Sequence, residues 1–188
     1  MRLNKILKNA LLIISAGIIL TACATKKEVA VEAPKKEETK KEETKKEKKE
    51  EVTKIEKIAG QMQGDVYVGT DSVKYLADGV ADRVFFATNE SILTTASRET
   101  LRAQAAWLRA NSNITVVLEG HADERGTREY NLALGERRAN AAKDYLMTYG
   151  VSSDRITVIS YGKERPVDSG SNPLAWSKNR RSVTVKAN

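Results

Sequence analysis

The sequence predicts an α/β (α+β) two-layer sandwich for residues 82–188, with helices laid over a mixed sheet in the order βαβαβ, a loop and a last β-strand. Three observations predict it. Short β-branched runs alternate with long stretches whose apolar residues step by three and four. A threonine stands at the start of each long stretch, where a helix cap is needed, and a glycine stands where the second must stop.

The elements follow in chain order. Arg83-Val-Phe-Phe-Ala87 reads as a short buried strand. Thr94 or Thr95 can cap a helix running to about Ala110, with Leu101, Ala105 and Leu108 on one stripe. Ile114-Thr-Val-Val-Leu118 is a β-branched strand, and a second helix is expected from Arg128 to Tyr149. Gly150 suits the residue after its end, and its stripe is Leu132, Gly135, Ala139, Ala142 and Leu146. Ile156–Ser160 and Ser182–Lys186 supply two more strands, separated by a loop around Pro166–Pro173. Trp107 fits the first helix poorly and is expected at its margin, whereas Trp176 is expected on the last strand. Asn179, Arg180 and Arg181 are read as fastening that strand, contact with a glycan or a partner being the alternative.

The N-terminal part has a different character. Arg2, Lys5 and Lys8 precede an apolar run over residues 10–20, too short to cross a hydrocarbon core of about 30 Å. Residues 1–22 are therefore expected to be a signal peptide. The run ends in Leu20-Thr-Ala-Cys23, which holds the one cysteine and resembles the lipobox of bacterial lipoproteins. That resemblance implies no cofactor but a covalent diacylglycerol and an N-acyl lipid on Cys23, an attachment strong enough to hold the chain on a membrane. Ala24, in place of Asp, implies the outer membrane by similarity to enterobacterial sorting. Residues 23–57 carry 12 Lys and 10 Glu, and 32–51 lacks any large apolar side chain. Such a segment cannot repay the entropy of ordering and is expected to be a disordered tether. Residues 58–81, with Gly60, Gly64, Gly69 and Gly79, read as an irregular lead-in.

Charge narrows the function. The formal net charge is +7, yet residues 58–188 hold 17 basic and 15 acidic residues, so the excess sits mostly in the appendages. A nucleic-acid binder concentrates its cations on the folded part; none is expected here. His121 is the sole histidine, too few for an ordinary catalytic zinc site or for the base of a hydrolase triad without a visible nucleophile elbow. Asp123 and Glu124 are adjacent, which suits opposite facing rather than a glycosidase pair.

The informative stretch is Glu119-Gly-His-Ala-Asp-Glu-Arg-Gly-Thr127 and the helix after it. Asp123 leaves the end of a strand, Gly126 allows a sharp turn and Thr127 can cap the helix, whose first amides point outward as donors. Asn131, Leu134 and Arg138 share one helix face. Asp123 and Arg138 then either frame a pocket for a zwitterion or brace loop against helix as a structural ion pair. Residues 120–139, with Tyr161-Gly-Lys-Glu-Arg-Pro166 and Ser177-Lys-Asn-Arg-Arg181, resemble the OmpA-like domain of the peptidoglycan-associated lipoproteins over roughly 82–188. The resemblance implies non-enzymatic peptidoglycan binding. Asp123 and Arg138 would take the amino and carboxylate groups of meso-diaminopimelate in the peptide stem. Arg125, Gly126 and Thr127 would complete the wall, with Leu134 and Asn131 nearby. It also implies TolB and other outer-membrane proteins as partners, within a system acting in envelope integrity and division. The alternatives are a stabiliser of the same fold outside that system and, more remotely, a wall hydrolase. A motor stator fits less, because it uses a full transmembrane helix. One departure stands out. The family carries Phe-Asp after the first strand where this chain has Thr88-Asn89, which removes a charge and some apolar contact.

Overall fold

A computed structural model describes Thr53 and residues 60–187. The expected signal segment (1–22), Cys23 and, Thr53 apart, the expected tether lie outside the described residues. In chain order the strands are β1 (Met62–Gln63), β2 (Val66–Tyr67), β3 (Tyr75–Ala77), β4 (Val80–Ala81) and β5 (Arg83–Phe85). Helix α1 (Thr95–Ala110), strand β6 (Val116–His121), helix α2 (Arg128–Thr148), a 3-10 turn (Ser153–Arg155) and β7 (Ile156–Gly162) follow. Helix α3 (Pro173–Asn179) and β8 (Arg181–Lys186) complete the chain. The main sheet runs β5-β8-β6-β7. Strand β8 is antiparallel to both β5 and β6, and β6 is parallel to β7, so the sheet is mixed as expected.

The caps explain where the helices begin and end. Thr94 Oγ1 accepts the Ser97 N–H at 3.1 Å, and Thr127 Oγ1 accepts that of Tyr130 at 3.2 Å. Gly150, at φ +85°, closes α2: its own N–H reaches Met147 O at 2.9 Å, and the Val151 N–H reaches Leu146 O at 3.2 Å. These two bonds satisfy carbonyls that the helix leaves unpaired. Leu101, Ala105 and Leu108 of α1 meet Ala139, Ala142 and Leu146 of α2 over Val84, Val116, Leu118 and Ile156 of the sheet. Burying each large aliphatic chain in this layer contributes about 1.5–3 kcal/mol.

Four expectations change. Strand β6 spans Val116–His121 rather than 114–118. The Ile114 and Thr115 carbonyls are spent on Arg155 Nε at 3.0 Å and on the Ala187 N–H at 3.0 Å, while Glu119 and Gly120 are paired on both sides despite modest strand propensity. The loop before the last strand ends in α3, capped by Asn172, whose Oδ1 accepts the Ala175 N–H at 3.0 Å, with Pro173 at its start. Trp176 lies on that helix and packs toward the 123–126 loop, not on β8. Finally, residues 60–81 contain two small antiparallel hairpins, β1–β2 and β3–β4. They are tied to the sandwich: Tyr67 stacks edge-on against Phe85 at 4.7 Å, and Gln104 Nε2 donates to Ala81 O at 2.7 Å. Strands of two or three residues leave no periodicity to read.

Candidate functional site

The site is built at the carboxyl end of β6. The Ala122 N–H still pairs with Gly162 O at 2.8 Å, and then the chain turns. Asp123 folds back so that its Oδ1 accepts the Arg125 N–H at 3.1 Å. Gly126 takes φ +87°, a left-handed conformation that costs an L side chain about 1 kcal/mol or more. Asn131 Nδ2 donates to Arg125 O at 2.8 Å, and Lys163 Nζ to Gly126 O at 2.8 Å, so helix and neighbouring strand both hold the loop.

Asp123 is 6% exposed and its carboxylate is saturated. Oδ1 also accepts Arg125 Nε at 3.0 Å, while Oδ2 accepts Arg125 Nη2 at 2.7 Å and Arg180 Nη1 at 3.2 Å. Burial works against its ionisation, but the bonds from Arg125 and Arg180 outweigh it and hold the carboxyl below its usual range. Arg180 is 2% exposed, donates from Nε to Phe86 O at 3.1 Å and bonds the Asp65 carbonyl. Sequence reasoning missed this partner of Asp123.

Arg138 is 0% exposed and makes no hydrogen bond or ion pair with Asp123, whose charge acts on it only from a distance. Its guanidinium spans three backbone carbonyls: Glu90 O from Nε at 2.9 Å, His121 O from Nη1 at 2.8 Å and Ala87 O from Nη2 at 3.0 Å. Burial, helped by the nearby Arg180, pushes its pKa down to about 10, which leaves it charged at neutral pH. Arg138 thus clamps the turn after β5 onto the end of β6. That turn is closed by the Glu90 N–H on Ala87 O at 3.2 Å, with Asn89 at φ +58°, a conformation that asparagine tolerates better than most residues. Thr88 is half-buried beside Arg125, its Oγ1 3.4 Å from Nη2, and Asn89 is exposed. Asn131 and Leu134 are buried beneath the loop, whereas Arg125, Gly126 and Thr127 form an exposed rim.

Glu124 is turned to α3, its Oε1 accepting the Trp176 indole N–H at 2.8 Å. His121 is 1% exposed and stacks on Tyr161 at 5.6 Å between ring centres. Burial, with Arg181, Arg83 and Arg165 nearby, lowers its pKa to about 3, and Glu119, 3.5 Å from Nε2, does not offset them. The unfolded histidine binds a proton near pH 6.5, so this group's contribution to stability is complete above that pH. It is lost progressively as pH falls toward 3, at about 1.4 kcal/mol per pH unit. Urea denaturation at pH 7 and pH 4.5 is expected to show this loss, and His121→Asn is expected to remove most of that part of the pH dependence.

The OmpA family model matches residues 85–180. A peptidoglycan-associated lipoprotein of Mesorhizobium japonicum is 54% identical over 106 residues, covering 56% of this chain and 63% of that protein. The match therefore spans less than two thirds of that relative's length. One from Pasteurella multocida is 40% identical over 131 residues, 70% of this chain and 83% of its own. The crystal structure of the peptidoglycan-associated lipoprotein from Burkholderia pseudomallei superposes with a TM-score of 0.55 at 34% identity, covering 56% of this chain and 89% of that one. The C-terminal domain of Helicobacter pylori MotB, at 17% identity and a TM-score of 0.54, shares the fold alone. By residues 85–180 and by the Pasteurella relative, the chain belongs to the OmpA family, among the peptidoglycan-associated lipoproteins.

Proposed function

We propose that residues 82–188 bind peptidoglycan non-covalently through the zwitterionic head of meso-diaminopimelate in the peptide stem. The observation that carries this is Asp123: a buried, ionised carboxylate at a strand end, bordered by exposed Arg125, Gly126 and Thr127. The stem ammonium pairs with Asp123. Arg138, which commits three of its five N–H groups to carbonyls, offers the others to the stem carboxylate once the 87–90 turn yields. Thr88, Asn131 and Leu134 shape the floor and wall. The work is tethering, not catalysis.

The single Cys23, consistent with the lipid-anchor site of a lipoprotein, carries the acyl chains that seat the protein in the outer membrane with its domain in the periplasm. Residues 24–57, 34 in number, link that anchor to the domain. TolB is the expected protein partner, which places the chain in the Tol–Pal system of envelope integrity and cell division.

Retention of the full chain on purified sacculi, with release by free meso-diaminopimelate, tests the binding. Absence of retention overturns the proposal. Recovery of TolB from a periplasmic extract supports membership of the Tol–Pal system, and its absence favours a stabiliser acting outside it.

A further inference from the structure

Resting on that reading, we propose that Arg125 is an internal competitor of the stem ammonium, one that must leave Asp123 before the ligand can bind.

A carboxylate offers about four acceptor positions, two on each oxygen. Asp123 has filled them all: the Arg125 N–H and Nε on Oδ1, and Arg125 Nη2 and Arg180 Nη1 on Oδ2. An incoming ammonium can pair with this carboxylate only by displacing a donor. Two of the four donors are held in place. The Arg125 N–H is part of the turn that Asn131 and Lys163 hold from two sides. Arg180 is buried and pinned to the carbonyls of Phe86 and Asp65.

The Arg125 guanidinium differs. Its side chain is 42% exposed, and its other contacts are a long bond to Thr88 Oγ1 and the face of the Trp176 ring, 4.3 Å from its centre. The indole is itself fixed by Glu124. The guanidinium can therefore rotate out of the carboxylate while staying over the indole, which keeps part of its stabilisation. Departure of Nε and Nη2 frees one position on each oxygen, and an ammonium with three N–H groups can bridge both. One cation replaces another, so the buried carboxylate is never left without a counter-ion. A neutral hydroxyl or amide replaces only the hydrogen bonds and not the charge, so it competes less well.

Titration calorimetry and stopped-flow mixing of the full chain with free meso-diaminopimelate test the exchange. Arg125→Ala is expected to bind about tenfold tighter, the size of one charge-assisted hydrogen bond released from competition, and to associate faster. The Arg125 Nε–H resonance of the unaltered protein is expected to move to a solvated position on saturation. Unchanged or weaker binding by Arg125→Ala, or an Nε–H signal that ligand leaves in place, would falsify the exchange while the peptidoglycan reading stands. Binding by neither protein overturns both.

Discussion

Replacing Asp123 by Asn is expected to abolish retention on sacculi while leaving the domain folded. A unit-charge pair about 4 Å apart is worth roughly 4 kcal/mol at an effective dielectric of 20, before the loss of hydration is subtracted. Truncating one side of a hydrogen-bonded charge pair at an interface costs about 2–5 kcal/mol, a fall of roughly 30-fold to several thousand-fold in affinity. Asparagine keeps one oxygen, which can serve the Arg125 N–H of Oδ1 or the Arg180 guanidinium of Oδ2 but not both, so unfolding free energy is expected to drop by about 2–3 kcal/mol. Asp123→Ala goes further, because it removes both oxygens and leaves neither the Arg125 N–H nor the buried Arg180 an acceptor there. Arg138→Ala is also expected to lose binding, but for a different reason. It strips the donor from the carbonyls of Ala87, Glu90 and His121 and leaves a cavity where a fully buried side chain stood. Destabilisation of about 3–5 kcal/mol is expected, and Arg138→Lys rescues little, since a point-like ammonium cannot span three carbonyls. Sacculus retention and urea unfolding on the same preparations separate the two cases. Full retention by Asp123→Asn would remove the acid from the site altogether. The pH profile follows from the same group: the ionised carboxylate is the binding form and its pKa is held low. Retention is therefore expected to persist as pH falls through the ordinary carboxylate range and to weaken only below it.

The physical reasons that made parts of this molecule readable also say why other parts were not. Thr94, Thr127 and Gly150 act through bonds to residues three positions away, so the helix limits are visible in local sequence. Leu101, Ala105 and Leu108 reveal their face because one helix period puts them together. Asp123 and Gly126 were legible as a bend at a strand end for the same local reason. Arg180 was not. It lies far along the chain, next to a second arginine, and the choice between the two depends on strand alternation. Arg181 begins β8 and bonds the Arg165 carbonyl at 3.1 Å, while Arg180, just before the strand, turns to Asp123. Asp65 reaches the same cluster from a lead-in that carried no pattern, its Oδ2 accepting the Thr88 N–H at 2.6 Å. The spacing of Asn131, Leu134 and Arg138 correctly put them on one inward face, but spacing gives no account of what meets that face. The clamp on three carbonyls is a property of the tertiary structure.

Gly120→Ala is expected to have the largest effect on stability of any single methyl addition here, and Gly135→Ala a much smaller one. Gly120 sits mid-strand in β6, paired on both sides, where α2 lies directly on the backbone. A Cβ at Gly120 would fall 1.8 Å from Gly135 O and 2.4 Å from Gly135 C, both backbone atoms with no rotamer to escape into. Either α2 lifts or β6 leaves its ladder. Lifting α2 also breaks the bond from Ser160 Oγ to Leu132 O at 2.6 Å and disturbs the Asp123 loop, which hangs between the end of β6 and the start of α2. A loss of about 3 kcal/mol or more is expected, which lowers the melting temperature of a domain this size by roughly 10 °C or more. A Cβ at Gly135 instead meets the Ser160 hydroxyl at 2.4 Å, which rotates only by giving up its bond to Leu132 O, and the backbone Gly120 O at 2.9 Å, which must shift far less than the 1.8 Å contact demands. Alanine also gains up to about 1 kcal/mol of helix propensity over glycine there. Thermal unfolding followed by circular dichroism checks the order. If Gly135→Ala proved the more damaging, or if both variants melted with the unaltered protein, α2 would not rest on β6 at this point, and the bend that presents Asp123 would need another support.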